Sequence, residues 1–143
     1  MLQPEDMLCF ELHAASRAMT AVYRPLLGEL GLTYPQYLVM VLLWDSSPRL
    51  VNELGRELEL DSGTLSPLLK RLEGSGLVLR RRREEDEREL EVTLTESGQA
   101  LRERARHIPA AVEQAADLAP GEMEDLVGRL ASLRASLYRS VSG

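Results

Sequence analysis

The stretch from Leu60 to Thr95 constrains the chain most. It opens with LDSGTLSPLLKRLEGSG, in which Leu65, Leu68, Leu69 and Leu72 recur at i, i+3, i+4 and i+7. That spacing predicts a helix from Asp61 to about Gly74 with one buried stripe. The other face carries Ser62, Thr64, Ser66, Lys70 and Arg71: small hydroxyls near the start, cations near the end. Asp61 or Ser62 can cap the first turn, and Gly74 or Gly76 can end the last. Pro67 falls in the second turn and deletes a helix hydrogen bond, an irregularity of the kind that marks strained or functional sites. Leu77-Val78-Leu79 follows, then Arg80 to Arg83, the acidic turn Glu84 to Glu87, and Arg88. Leu90 to Leu94 alternates with period two and predicts a half-buried strand. Helix, strand, charged loop, strand is the layout of a helix that enters a DNA major groove, followed by a β-hairpin wing. Taken singly, a leucine stripe is usually only core, and arginines beside acids are usually only a solvated run. Here the charges are expected at the tip of a short hairpin. The helix start also presents small residues where base edges and phosphates are approached.

Composition limits how such a head could work. At 143 residues the chain is long enough for one domain with a substantial core. Aromatic residues make up only 4%, which suits a helical protein. The formal net charge of -6 excludes a generically basic nucleic-acid binder. Contact with DNA must therefore rest on local cations, with the acidic remainder weakening non-specific binding. No apolar run of about 18 residues and no signal-peptide pattern is present, so a soluble, cytoplasmic protein with no membrane partner is expected. A single cysteine excludes an internal disulfide and a four-cysteine zinc site. No metal or cofactor is expected, and there is no internal repeat or low-complexity segment.

Before the head, residues 4–30 predict one long helix. Pro4 suits its first position, and Glu5 and Asp6 suit the positive end of its dipole. Leu8, Leu12, Ala15, Met19, Val22, Leu26 and Leu30 recur every three or four residues, close to a heptad, as in a helix packed along its length against a second chain. Gly31 ends it. Thr33 caps a second helix with Pro35 just inside, and Tyr37 to Trp44 is nearly all apolar, hence buried. Ser46-Ser47-Pro48 breaks that helix. A short third helix carrying Val51, Leu54 and Leu58 leads into the recognition helix, which it braces. After the wing, Thr95 caps a helix running past Leu101 and Ala105, with a kink expected at Pro109. Pro120-Gly121 separates the last helix, striped by Leu126, Leu130, Leu133 and Leu137. The expected fold is mainly α with a small β-wing: a single winged helix-turn-helix domain over 1–143. Residues 50–94 form the helix-turn-helix and wing. Residues 1–30 and 96–143 are the helices that form a dimer.

Cys9 is placed in the second turn of the first helix. A free cysteine is often only a small hydrophobe, but a helix start favours the thiolate, because the positive dipole end stabilises the anion. His13 lies at i+4 on the same face, as a possible neighbour of that thiolate. Tyr23 shares the stripe but lies fourteen residues on, about 21 Å along the axis at 1.5 Å per residue. Within one chain it cannot touch Cys9. In a dimer of antiparallel first helices, Tyr23 of one chain would approach Cys9 of the other, and Tyr34, at the next helix start, would do likewise. Phenol hydroxyls donating to a thiolate stabilise the anion.

These residues carry a resemblance. LCFELHAASRAMTAVYRPLLGELGLTYPQYLVMVLLW resembles the N-terminal region of the organic-hydroperoxide-resistance regulators, a thiol-based branch of the MarR family. LDSGTLSPLLKRLEGSGLVLRRRREEDERELEVTLTESG resembles their recognition helix and wing. Asp86, Arg88 and Leu94-Thr95 match the wing pattern of the broader family. The resemblance covers almost the whole chain. It implies a homodimeric winged-helix repressor of double-stranded operator DNA, not an enzyme. Cys9 is then the peroxide-sensing thiol, hydrogen-bonded by Tyr23 and Tyr34 of the partner chain. Ser62, Thr64, Ser66, Lys70 and Arg71 face DNA, and Arg88 enters the minor groove, oriented by Asp86. Arginine is attracted to a narrow A·T-rich minor groove. Two departures stand out. His13 occupies a position where relatives commonly carry Tyr, which puts an imidazole in place of a phenol. No second, resolving cysteine is present, so the sulfenic acid formed by an organic hydroperoxide must be captured by a small-molecule thiol or oxidised further.

Other readings predict different behaviour. A MarR-type repressor released by a non-covalent aromatic ligand would leave Cys9 incidental. A thiol peroxidase would turn peroxide over, but a resolving cysteine and a thioredoxin-like βαβ pattern are both missing from the sequence. A purely structural helical dimer would not bind DNA at all.

Overall fold

The computed structural model describes residues 2–142 and separates into two compact units, one up to Ile108 and one from Pro109 onward. In the first unit, helices α1 (Leu8–Gly28), α2 (Tyr34–Asp45), α3 (Val51–Leu58), α4 (Ser62–Gly74) and α5 (Glu96–Ala105) surround a small sheet of β1 (Arg49–Leu50), β2 (Val78–Arg82) and β3 (Leu90–Leu94). The architecture is that of a winged helix, as the periodicities predict.

The long first helix is shorter than expected at both ends. Pro4–Asp6 forms a separate 3-10 turn, closed by the Met7 amide donating to the Pro4 carbonyl at 3.0 Å. Met7 is extended (φ -101°, ψ 128°), so α1 starts only at Leu8. At the other end Gly31 adopts φ +70°, and the Leu32 amide reaches back to the Leu27 carbonyl at 3.1 Å. This is the left-handed stop that glycine allows, reached three residues past the last helical one. Of the α1 residues only Leu27 is buried.

α2 is the central helix. Thr33 and Gln36 form a reciprocal capping box, with Pro35 in the first turn. Tyr37, Val39, Met40 and Leu43 are all buried, so apolar residues on several sides do mean a helix enclosed by its neighbours. β1 was not expected. Two residues are too short to show a period, and only their pairing reveals them: Arg49 faces Val92 and Leu50 faces Glu91 on β3. β3 sits between β1 and β2, antiparallel to both. α3 buries Leu54 completely and turns into α4 through Glu59, which is left-handed at φ 55°. The Asp61 side chain accepts the Thr64 amide at 2.8 Å and so caps α4, and Leu65, Leu68, Leu69 and Leu72 are all buried.

Thr95 caps α5, accepting the Gly98 amide at 3.0 Å. Pro109 does not kink this helix. The chain leaves α5 after Ala105 and starts α6 (Ile108–Ala116), with Pro109 in its first turn. There the missing amide costs nothing, whereas inside a continuous helix it would have left a carbonyl unpaired. In the second unit, α7 (Glu122–Ser142) has no buried residue, and Leu126, Leu130 and Leu137 are exposed.

Candidate nucleic-acid interface and thiol site

The leucine stripe of α4 faces the core, so its opposite face is fixed by the helical period. Ser62, Thr64, Ser66, Lys70 and Arg71 all lie on it and all are exposed. Pro67 is exposed on the same helix and leaves the Gly63 carbonyl without its usual amide partner. The hydroxyls lie near the amide end of α4 and the cations near the carbonyl end, as their order in the sequence requires.

The wing differs from the expected cluster of charges at a hairpin tip. Arg80, Arg81 and Arg82 lie within β2, paired with Val92, Glu91 and Leu90. Arg80 turns back onto α4. Its amide donates to Glu73 Oε2 at 3.1 Å, and its guanidinium to Glu73 Oε1 at 3.1 and 3.3 Å. The Arg80 amide and then its guanidinium hold the Glu73 carboxyl below the usual carboxylate range. Sequence reasoning missed this tie between recognition helix and wing, because a seven-residue separation across a turn leaves no periodic trace. At the tip, Arg83 bridges Glu89 at 2.8 Å and Glu85 at 3.3 Å, and its amide closes the loop onto the Glu89 carbonyl at 2.9 Å.

Asp86 and Arg88 do pair. The Arg88 guanidinium donates to both carboxylate oxygens, at 3.1 and 3.3 Å, and the Arg88 amide adds a third bond at 3.0 Å. The guanidinium and then the amide of Arg88 lower the Asp86 carboxyl below its ordinary value. The Arg88 side chain is 90% exposed while that of Asp86 is 32% exposed. The carboxylate thus aims an arginine that projects into solvent. Between α3, the start of α4 and the wing lies an open cleft of about 440 Å³, lined by Leu50, Leu60, Leu65 and Leu90 with Arg56 and Arg88 among its polar residues.

Cys9 is the second residue of α1, in its first turn rather than its second, because the helix starts late. It is exposed, and no side chain caps the helix end before it. His13 lies one turn further on and is exposed. Tyr23 is half-buried and Tyr34 exposed, and their rings lie 5.0 Å apart at 53°. Tyr23 also meets the buried Tyr37 at 5.9 Å. Burial, and after it the neighbouring Tyr34 and Tyr37, push the Tyr23 phenol upward, so it remains a neutral donor. The fold therefore brings the two predicted tyrosines together while Cys9 stands far along the same helix. Tyr37, which sequence reasoning took only as core, joins the aromatic cluster. Among the described residues no group of three or more His, Cys, Asp or Glu is placed to hold a metal ion, and no helix is long and apolar enough to cross a membrane.

The comparisons with known proteins agree with this geometry. The family model for transcriptional regulators SarA/Rot matches residues 21–104, from within α1 through most of α5. The organic hydroperoxide resistance transcriptional regulator of Bacillus subtilis (strain 168) is 44% identical over 135 residues, covering 94% of this chain and 92% of that protein. The crystal structure of AbfR of Staphylococcus epidermidis is 39% identical, covers 92% of this chain and 91% of its own, and superposes with a TM-score of 0.78. AbfR bound to DNA superposes with a TM-score of 0.78 in its reduced form and 0.77 in its overoxidised form, each at 38% identity. These two structures cover 92% and 91% of this chain, respectively, and 91% of their own. With its winged helix, its single cysteine and these relatives, the chain belongs to the MarR/SarA family of transcriptional regulators, on the branch of the organic hydroperoxide resistance regulators.

Proposed function

We propose that this protein is a homodimeric, DNA-binding repressor of the cytoplasm that senses organic hydroperoxides through Cys9. The observation that carries the reading is the pairing of Tyr23 with Tyr34 at 5.0 Å, in a chain whose exposed cysteine stands at an uncapped helix start. Two phenols so placed can donate to one acceptor brought by a second chain, and Cys9 of the partner chain is that acceptor. Ser62, Thr64, Ser66, Lys70 and Arg71 read or clamp the major groove, and Asp86 aims Arg88 into the minor groove. Two such heads bind the two halves of a pseudo-palindromic operator.

The switch is a balanced two-step reaction. The Cys9 thiolate attacks the terminal oxygen of the hydroperoxide. The O–O bond breaks, the sulfur becomes a sulfenic acid, and the alcohol leaves with a proton. A small-molecule thiol then condenses with the sulfenic acid, forming a mixed disulfide and releasing water. A bulky group now occupies the place of a hydrogen-bonded thiolate at the dimer interface, the spacing of the two heads changes, and DNA is released. AbfR has been solved on DNA in an overoxidised form, which favours the mixed disulfide over further oxidation as the releasing species here.

A second reading rests on the cleft beside α4. Its apolar wall and two arginines suit an aromatic carboxylate that would displace the wing without any role for Cys9. The deciding experiment compares wild type with Cys9→Ser on the protein's own upstream DNA, before and after an organic hydroperoxide with a small thiol. Wild type is expected to bind and then release, and Cys9→Ser to bind and stay. Release of Cys9→Ser by peroxide would defeat the thiol reading. Peroxide-insensitive binding by both proteins, with release by an aromatic acid, would favour the cleft.

A further inference from the structure

Trp44 is the only tryptophan in the chain, and it joins two regions that the proposed switch must connect. On one side its ring meets Tyr37 edge-on at 6.3 Å. Tyr37 meets Tyr23 at 5.9 Å, and Tyr23 meets Tyr34 at 5.0 Å. On the other side the indole N–H donates to the Gly98 carbonyl at 2.9 Å, across fifty-four positions of sequence. Gly98 lies in the first turn of α5, where there is no slack: an added Cβ would run into the Leu77 carbonyl. The N-cap of that helix, Thr95, donates its amide to the Leu77 carbonyl at 3.1 Å and its hydroxyl to the Gly76 carbonyl. Gly76 and Leu77 lie in the three-residue link between α4 and β2. One close-packed line thus runs from the tyrosine pair to the joint at which recognition helix and wing separate.

We infer that Trp44 is a positioning residue, through which the state of the tyrosine cluster sets the position of the α4–wing joint relative to α2. Aromatic contacts alone slide easily, but a directional N–H···O=C bond ending on a glycine wedged against backbone does not. When the thiolate that holds Tyr23 and Tyr34 is lost, the cluster relaxes, Tyr37 and Trp44 follow, and the start of α5 carries the joint with it. This rests on the proposed Cys9 reading, since it names the route by which that oxidation reaches the reading head.

Trp44→Phe tests the route. It keeps a ring against Tyr37 and removes the donor to Gly98 with part of the indole's volume. The reduced variant is expected to bind operator DNA within a few-fold of wild type. Intact mass is expected to show the same Cys9 mixed disulfide, formed as fast as in wild type. The loss of DNA affinity on oxidation is expected to be smaller by about tenfold, within the range usual for couplings between sites. Release equal to wild type would overturn the inference and leave the Cys9 reading standing. Wild type that carries the mixed disulfide yet stays on DNA would overturn the Cys9 reading itself, and the route with it. Should Trp44→Phe fold poorly, the emission of Trp44 in wild type decides. A shift on mixed-disulfide formation, absent from Cys9→Ser, supports the route, and release with unchanged emission overturns it.

Discussion

Gly98 looks like any glycine in a helix, yet its Cα packs so closely on the Leu77 carbonyl that no side chain fits. Gly98→Ala is expected to destabilise by about 1–3 kcal/mol, as overpacking does, read as a fall in the thermal midpoint with no new ligand dependence. Cys9 was recognisable from its type and neighbourhood, but its place in the first turn was not. That followed from Met7 becoming extended, a choice made by the 3-10 turn before it. The ion pairs of the wing give a pH expectation. Asp86 and Glu73 are both held below their ordinary values by hydrogen bonds from Arg88 and Arg80. Their contribution is therefore complete above the unfolded value of about 4 and is lost as pH falls through the lower folded-state values. Amide resonances of Arg80 and Arg88 followed from pH 8 downward are expected to stay put until below about 4. Movement between pH 7 and 5 would show that other groups hold the wing.

At the scale of elements, α4 was the most legible. Four leucines on one face and a capping aspartate define it, and every one of them is where the period requires. The wing was legible as two strands, because β3 alternates, but not in its charge layout. Whether an arginine is spent on Glu73, on Glu89 or on solvent depends on strand register and on a turn, neither of which is written in local sequence. Arg88 is 90% exposed and held by Asp86, so its removal is expected to act mainly on DNA rather than on folding. Arg88→Ala should weaken operator binding and make the plot of log affinity against log salt shallower by roughly 0.9 per half-site, with the thermal midpoint lowered by no more than the loss of one surface ion pair brings. An unaltered salt slope would place Arg88 off the phosphates and grooves.

At the scale of the whole molecule, the chain leaves apolar surface that it does not cover. α1 buries only Leu27, and α7 buries nothing, with Leu126, Leu130 and Leu137 exposed along its stripe. In the homodimer proposed above, these stripes pack against a second copy, and that copy would bring its Cys9 to the tyrosine pair. Leu130→Glu combined with Leu137→Glu is expected to give a species of 16.0 kDa in sedimentation. Its operator affinity should fall by about 10²–10⁴, because two linked heads become one. Full-strength binding by a proven monomer would remove the dimer from the account.

Period and turn chemistry alone were enough for α2 to α5 and for the caps Thr33, Asp61 and Thr95, because those depend on local residue type, and the resemblance of the N-terminal and recognition-helix stretches was enough for the family. Four features needed contacts made across the fold. β1 exists because β3 is there to pair with it, and Pro109 starts a helix rather than bending one. Arg80 faces Glu73, and Tyr37 and Trp44 join the tyrosine pair to the joint of the reading head. The physical reason is common to all four. Each rests on contacts between residues distant in the chain or on the choice between two locally acceptable backbones, and the energies that settle them come from packing and pairing that no short stretch contains.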